Sequence, residues 1–404
     1  MSHTTDDAVE LLKHSHAGRD PERLALKYAL LRRDPFAFLR GTSALFHARM
    51  PNDKLLYKAP LAWTCGDLHL ENFGSYKGDN RLVYFDLNDF DEATLAPASW
   101  ALTRFVSSVL VAAPALDFDR DEALAHAGAF IEAYASALSA GRARWLERDT
   151  ADGLIRDHLE ALRCRSRKDL LDRRCSRRGK RRSLKIDGKK ALPASDKQQH
   201  KVRELMTHFA SEQAEPEFFE VLDVARRVSG NASLGLERYV ILVRGEGGPD
   251  NHALLDLKEA PISTLTPHLR TPEPRWASEA HRVIGVQQMM QAIPVAFLHP
   301  LELGRRSAVL RELQPAEDRI DLREAAGKNR SFREMLGQMG ELVAWAQLRS
   351  SGRKGSAIAD ELIEFGSKHK WRSRLLALAE HCAEQVEADW QRYCVAYDDD
   401  AFKP

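Results

Sequence analysis

Residues 66 to 74 read Gly66-Asp67-Leu68-His69-Leu70-Glu71-Asn72-Phe73-Gly74, and a second acidic stretch, Asp86-Leu87-Asn88-Asp89-Phe90-Asp91-Glu92, follows after a short gap. Core packing offers little reason to gather so many carboxylates. An Asp that orients or deprotonates an attacking hydroxyl must lie within hydrogen-bond reach of it, and an Asn a few residues on can turn its amide oxygen toward a divalent ion. Asp67 and Asn72 fit those two roles. A further Asp is then needed to hold Mg²⁺ between phosphate oxygens, because Mg²⁺ takes hard oxygen ligands and few of them from protein. Asp89 and Asp86 are the candidates. His69 reads as a loop-shaping hydrogen-bond residue, and Arg40 as a cation that reaches the acids, either as their structural partner or in a direct phosphate or substrate role.

Such a site needs a nucleotide cradle, and residues 221 to 260 supply a candidate. A strand-like run through Val228 is followed by Gly230-Asn231-Ala232-Ser233-Leu234-Gly235, a second strand from Tyr239 to Val243, a Gly-rich turn, and a third strand ending in Leu257-Lys258-Glu259. Gly230 and Gly235 allow close approach of backbone to phosphate, Ser233 can donate a hydrogen bond, and Lys258 places an ammonium against the phosphates. A Glu on the next helix is expected to fix that lysine. Glu279, opening the pattern Glu279, Val283, Val286, Met290, is the candidate, with Glu273 as the other choice.

Gly66-Asp67-Leu68-His69 with Asn72 resembles the catalytic loop of aminoglycoside and choline kinase-like phosphotransferases, and Asp89-Phe90-Asp91-Glu92-Ala93 resembles their metal-binding Asp segment. More closely, Phe38-Leu39-Arg40-Gly41-Thr42, the two acidic stretches and several later segments resemble a bacterial family catalogued as domain of unknown function 2252, over most of the chain. The resemblance implies ATP and Mg²⁺ as cofactors. It also marks two departures: Ala232 stands where related turns have glycine, and Ala101 stands where a bracing Asp is usual near Trp100 and Arg104.

The order of parts is inverted, since a kinase-like chain presents its lysine before its catalytic loop. The expected fold class is therefore α+β: a bilobal protein kinase-like fold, circularly permuted, with a small mainly antiparallel β lobe and a larger mainly helical lobe. Close chain termini make such a permutation compatible with an undisturbed core. Residues 1–155 are expected to hold the catalytic half, 156–214 a basic linker with a helix and an Asp187-Gly188 hairpin, 215–315 the nucleotide-covering lobe, and 316–404 a helical return. Helices are expected over 6–16, 20–32, from Pro35, 98–113, 120–145, 331–350, 356–366 and 373–397.

With 404 residues, 44% hydrophobic and 29% charged, the chain is long enough for two lobes and a cleft. A net charge of +1 argues against a strong global field for nucleic acid or membrane. The basic run from Arg165 to Arg182 lacks interleaved aromatics and reads as a solvated helix and hairpin, with recognition of an anionic substrate as the alternative. Five unpaired-looking cysteines and no leader pattern suggest a cytoplasmic setting, and the apolar segment Phe105 to Leu116 reads as too short to span a bilayer. The expected activity is ATP-dependent, Mg²⁺-assisted phosphoryl transfer to an unidentified hydroxyl or amine acceptor, a small molecule or a protein. The alternatives are a catalytically inactive nucleotide-binding regulatory module and, because Asp67-Leu68-His69 has a metallophosphoesterase look, a two-metal phosphoesterase.

Overall fold

The computed structural model describes residues 3–313 and 319–402 and shows a mixed α+β fold with antiparallel sheets. The first four strands are β1 (Leu61–Thr64), β2 (Phe73–Lys77), β3 (Val83–Leu87) and β4 (Thr94–Pro97). β1 pairs with β4, placing Thr64 opposite Thr94, and β2 pairs with β3, placing Phe73 opposite Leu87. The end of β1 thus lies beside the start of β4, and the start of β2 beside the end of β3. These registers force the two acidic loops, 65–72 and 88–93, to run side by side. A short strand, β5 (Leu146–Glu147), extends the β2–β3 hairpin.

Helices back this platform. Ala98–Ala112 has a large apolar surface and is almost wholly buried; Arg120–Ser139 and the long Lys370–Asp398 pack on it, and Asn329–Ser350 packs on Arg120–Ser139. The apolar stretch runs on to Leu116, and at 19 residues it passes the length and composition test for crossing a membrane, longer than the sequence reading allowed. Yet 72% of its apolar window is buried inside the protein, which makes it a core helix. Two N-terminal helices, Pro21–Leu31 and Pro35–Gly41, start at Asp20 and Asp34, whose carboxylates accept the amides of Arg23 and Ala37, with Pro at the first helical position in each.

The second half of the site rests on a six-stranded sheet. β6 (Cys175–Arg178) and β7 (Arg181–Leu184) form a separate hairpin; then β8 (Ala191–Pro193), β9 (Val221–Arg227), β10 (Arg238–Val243), β11 (Ala253–Glu259), β12 (His299–Leu303) and β13 (Arg306–Glu312) assemble in the order β12-β13-β11-β10-β9-β8. One face carries Val224, Tyr239, Ile241, Leu255, Leu257 and Leu310 against the helix Asp196–Ser211. That helix and β8 belong with the sheet, so this unit begins near residue 191 and not at 215; a run of polar residues on an amphipathic helix hid its apolar stripe of Val202, Met206 and Phe209. The expected boundary at 315/316 lies outside the described residues.

The basic stretch holds a helix and a hairpin, but the hairpin turns at Gly179-Lys180. Asp187-Gly188 instead links β7 to β8, with the Asp187 carboxylate accepting the amides of Lys189, Lys190 and Ala191.

Candidate functional site

The two acidic loops are bolted together at Asn72. Its Nδ2 donates to the carbonyls of Asp67 at 2.9 Å and Asp89 at 3.1 Å, while its Oδ1 accepts the Asp89 amide at 2.8 Å and, more loosely, the Asn88 amide at 3.4 Å. Gly66 makes the approach possible: it sits at φ +83°, and a Cβ there would collide with the Glu92 carbonyl. A buried amide that spans both loops fixes where the two Asp side chains emerge.

Asp67 lies at the end of β1 and meets Arg104, whose Nε and Nη2 reach its Oδ1 at 2.6 and 2.5 Å. Arg104 is fully buried on the helix Ala98–Ala112, donates from Nη2 to the Leu39 carbonyl at 2.9 Å and stacks on Phe46. The position one turn before it is Ala101, so the brace expected there as an acid is supplied by a cation acting on the carboxylate itself. Burial pushes the Asp67 carboxyl up from its usual range, with Arg104 opposing. A raised carboxyl is a better proton acceptor.

His69 is buried beside it. Its Nδ1 accepts the Glu71 amide at 3.1 Å, which puts the ring proton on Nε2, and burial together with Arg40 and Arg104 holds it well below the usual histidine range. Arg40 pairs with Glu71 at 2.8 Å, over the Phe36 ring, and Arg319 reaches the same Glu71 at 3.5 Å.

Lys258, near the end of β11, is buried and pairs with Asp91, with Asp89 at 3.8 Å. Burial pushes both carboxyls up; at Asp89 the field of Lys258, Arg311 and Arg319 outweighs it and holds that acid ionised, whereas Asp91, beside the Asp89 charge, stays raised. Asp89 keeps 38% of its side chain exposed. The partner expected at Glu279 is therefore corrected to Asp91: Glu279 accepts Arg282 Nε at 2.6 Å, and buried Arg282 donates onward to the carbonyls of Asp91, Ala93 and Pro261. Glu273 is held by Thr94 and Thr266. Asp86 is likewise no ligand candidate, since it is buried against Arg349 at 3.1 Å on the far side of the β2–β3 hairpin end.

The glycine turn after β9 is tied down from the N-terminal helices. Arg19 Nη1 donates to the carbonyls of Ala232 and Leu234, and fully buried Lys27 donates to those of Asn231 and Ala232 at 3.0 and 3.1 Å. Gly230 and Gly235 both have positive φ, and a Cβ at Gly235 would press on the Arg19 side chain at 2.8 Å. Because each peptide is planar and trans, carbonyls drawn to these cations turn the N–H groups of the same peptides the other way. Ser233 Oγ donates to the Ser229 carbonyl at 3.2 Å and is approached by Arg238.

Two cavities flank this assembly, of about 490 and 270 Å³, and they share Arg40, Glu71, Asp89, Gly230, Asn231 and Arg319. Asp67, His69, Asn72 and Asp91 line the smaller, with Ser233 and Gly235 across from them. Ionised, part-exposed Asp89 fits a cation, and Asn72 Oδ1 sits beside it, already engaged by backbone. Among the described residues no three His, Cys, Asp or Glu side chains gather into a metal-holding group. A divalent ion here would thus share its coordination with ligand oxygens, as Mg²⁺ does on nucleotide phosphates.

Asp91, Arg104, Arg19 and Lys27 were not picked out by sequence reasoning. Asp91 lay within the acidic segment that was; the other three act across more than thirty residues of chain and leave no local spacing signal.

Fold and site together define a mixed α+β protein with a charged cleft between two acidic loops and a lysine-bearing sheet. The chain belongs to the family described as uncharacterized protein conserved in bacteria (DUF2252), whose model matches residues 19–396. No curated protein and no solved structure matches it.

Proposed function

We propose that the chain is a Mg²⁺-assisted phosphotransferase of the kinase-like class, with ATP as donor, built as a circular permutation in which the catalytic loop precedes the lysine lobe. The observation that carries this is the meeting of Asp67, Asn72 and Asp89, which line one cavity, with Lys258, buried behind that wall and 3.8 Å from Asp89. The order of elements in the sheet supports it: strand, glycine turn, strand, lysine strand, the helix Glu279–Met290, then two more strands, with the lysine strand central.

In this reading Asp67 orients the acceptor and receives its proton, poised by burial against Arg104. Asp89 and Asn72 would hold Mg²⁺, which supplies charge neutralisation at the phosphate oxygens. Lys258, kept in place by Asp91 behind the cavity wall, supplies positive charge toward the donor phosphates, and the glycine turn covers them. His69 shapes the loop through its bond to the Glu71 amide, and Arg40 adds a cation at the shared wall of the two cavities. The small acceptor cavity favours a small molecule over a protein segment. Asp67→Asn tests the assignment with water as acceptor: ATP affinity stays within about threefold, while ATP turnover falls by about 10²–10⁴-fold, the usual value of a positioned base. Full turnover in Asp67→Asn removes it from that role.

A further inference from the structure

The cleft face of the sheet is not apolar where a nucleobase would need it to be. Side chains alternate along a strand, so Asp256 and Lys258 share one face. The register sets Asp256 opposite Arg311, and Arg238 opposite Lys258, with Arg227 next along the same row. Arg227 and Arg238 reach the fully buried Asp256 carboxylate at 2.6 Å, and Arg311 reaches it at 3.5 Å. One carboxylate thus anchors three guanidiniums, which leaves an excess of two positive charges on the wall of the larger cavity.

The same cavity collects more. Among the described residues nine Arg and Lys side chains line it against three carboxylates, including Arg40 and Arg319 at the catalytic end, and Arg174 from the basic stretch with Lys190 beyond it at the other. Part of that stretch is spent on ion pairs: Arg182 meets Asp172 and Asp250, Arg177 meets Asp250, and Arg167 meets Glu246. Arg174 is the member of the stretch that lines the cavity, joined by Lys190 beyond its end. As many apolar side chains as basic ones line the cavity, among them Leu30, Phe36, Leu116, Val228, Leu234 and Leu322, but none of them comes from a strand of the sheet. A cavity of about 490 Å³ is the size of a small-ligand site, and the wall that the sheet gives it is made of guanidiniums.

We infer that this cavity binds a ligand carrying several linked phosphate groups, held through its phosphates along its whole length, with no pocket that reads a base. Guanidiniums spaced along a groove match phosphate oxygens by paired N–H donors. Asp256 keeps the three innermost from repelling one another while the ligand is away. This deepens the phosphotransfer reading by naming the donor class as a phosphate chain, and rests on that reading for the ligand's role but not for its binding.

The test is calorimetric titration of the full chain, without Mg²⁺ and at two salt concentrations, with sodium tripolyphosphate, ATP and adenosine. Tripolyphosphate is expected to bind, to displace ATP, and to weaken steeply with salt, while adenosine gives no heat. Tripolyphosphate that binds at least as tightly as ATP identifies an inorganic chain as sufficient; ATP markedly tighter than tripolyphosphate would show that the cavity holds the nucleoside as well and would overturn the inference. Arg311→Gln, a part-exposed position, is expected to lose about 10- to 100-fold in tripolyphosphate affinity, the value of one charge-assisted hydrogen bond, with an unchanged melting temperature of the free protein. Asp67→Asn is expected to bind it as the wild type does, so a failed phosphotransfer reading and a failed phosphate site give different patterns. Adenosine binding, ATP that tripolyphosphate does not displace, or an Arg311→Gln variant that binds tripolyphosphate like wild type would overturn the inference; the wild-type competition decides it if the variant does not fold.

Discussion

Replacing Asp256 with Asn asks how much of the cleft wall depends on one buried charge. The carboxylate is fully buried and takes two close guanidinium contacts at 2.6 Å and one at 3.5 Å. At about 4 Å between charge centres each close pair is worth about 4 kcal/mol at an effective dielectric near 20, and desolvation offsets much of that sum. Removing one partner of a buried pair leaves the others uncompensated, which costs about 3–5 kcal/mol. Two buried arginines lose their partner here, so the upper half of that range is expected. By contrast Asp53→Asn, which loosens an exposed contact to Arg374, should cost less than about 1 kcal/mol. Urea unfolding of both variants reads the difference directly as midpoint shifts at constant slope. The pH response adds a second check. Burial raises the Asp256 carboxyl but its three arginines win, holding it well below the usual range. A depressed folded value means that its stabilisation is present above the unfolded value near about 3.9 and is lost as pH falls below it. The wild type should therefore lose this contribution below about pH 4, and the variant should lack that part of the acid limb. A variant within about 1 kcal/mol of wild type would show that the three guanidiniums do not rely on Asp256, and the reasoning behind the charged wall would fail.

Other changes follow from the same geometry. Gly66→Ala should cost about 1–2 kcal/mol for left-handed backbone and about 1–3 kcal/mol more for the forced shift against Glu92, seen as a lowered unfolding midpoint together with lost turnover, because the two acidic loops move apart. Burial holds the His47 imidazole down to about 3; the unfolded chain takes that proton first as pH falls below about 6.5, so stability drops by about 1.4 kcal/mol per pH unit from there, and His47→Gln should reduce the measured slope by that amount. Arg104→Lys keeps a cation but loses the paired contact to Asp67, so the Asp67 carboxyl rises further and the acid limb of the turnover profile should move to higher pH, with ATP affinity unchanged. An unshifted limb would mean that Arg104 serves the fold alone.

Much of this site was legible because its parts are local. Asp67 with Asn72, and Asp89, sit in two short acidic loops, whereas the pairing of β1 with β4 and of β2 with β3 that brings the loops together is visible only in the structure. The glycine turn and Lys258 were legible for the same reason. What escaped is what acts over distance. Lys258 takes its partner from the acidic loop across the cleft, while Glu279 is claimed by Arg282 one helical turn on, a pairing that an i,i+3 spacing does announce. Arg104 compensates for Ala101 from the next turn of the same helix. Asp256 could have been noticed as a charge two residues before Lys258 in an otherwise apolar strand, since a buried acid demands cations beside it. Helix ends came out within a few residues at Pro21–Leu31, Ala98–Ala112 and Lys370–Asp398, whereas the helix Asp196–Ser211 was lost in a polar, Lys- and Gln-rich stretch.

The most direct test of the phosphotransferase reading is calorimetry of ATP binding with and without Mg²⁺ on the wild type, Asp89→Ala and Lys258→Met. ATP affinity in the wild type is predicted to tighten with Mg²⁺, to lose that dependence in Asp89→Ala, and to weaken in Lys258→Met. Mg²⁺ that leaves wild-type affinity unchanged, or that tightens wild type and Asp89→Ala alike, would contradict the account.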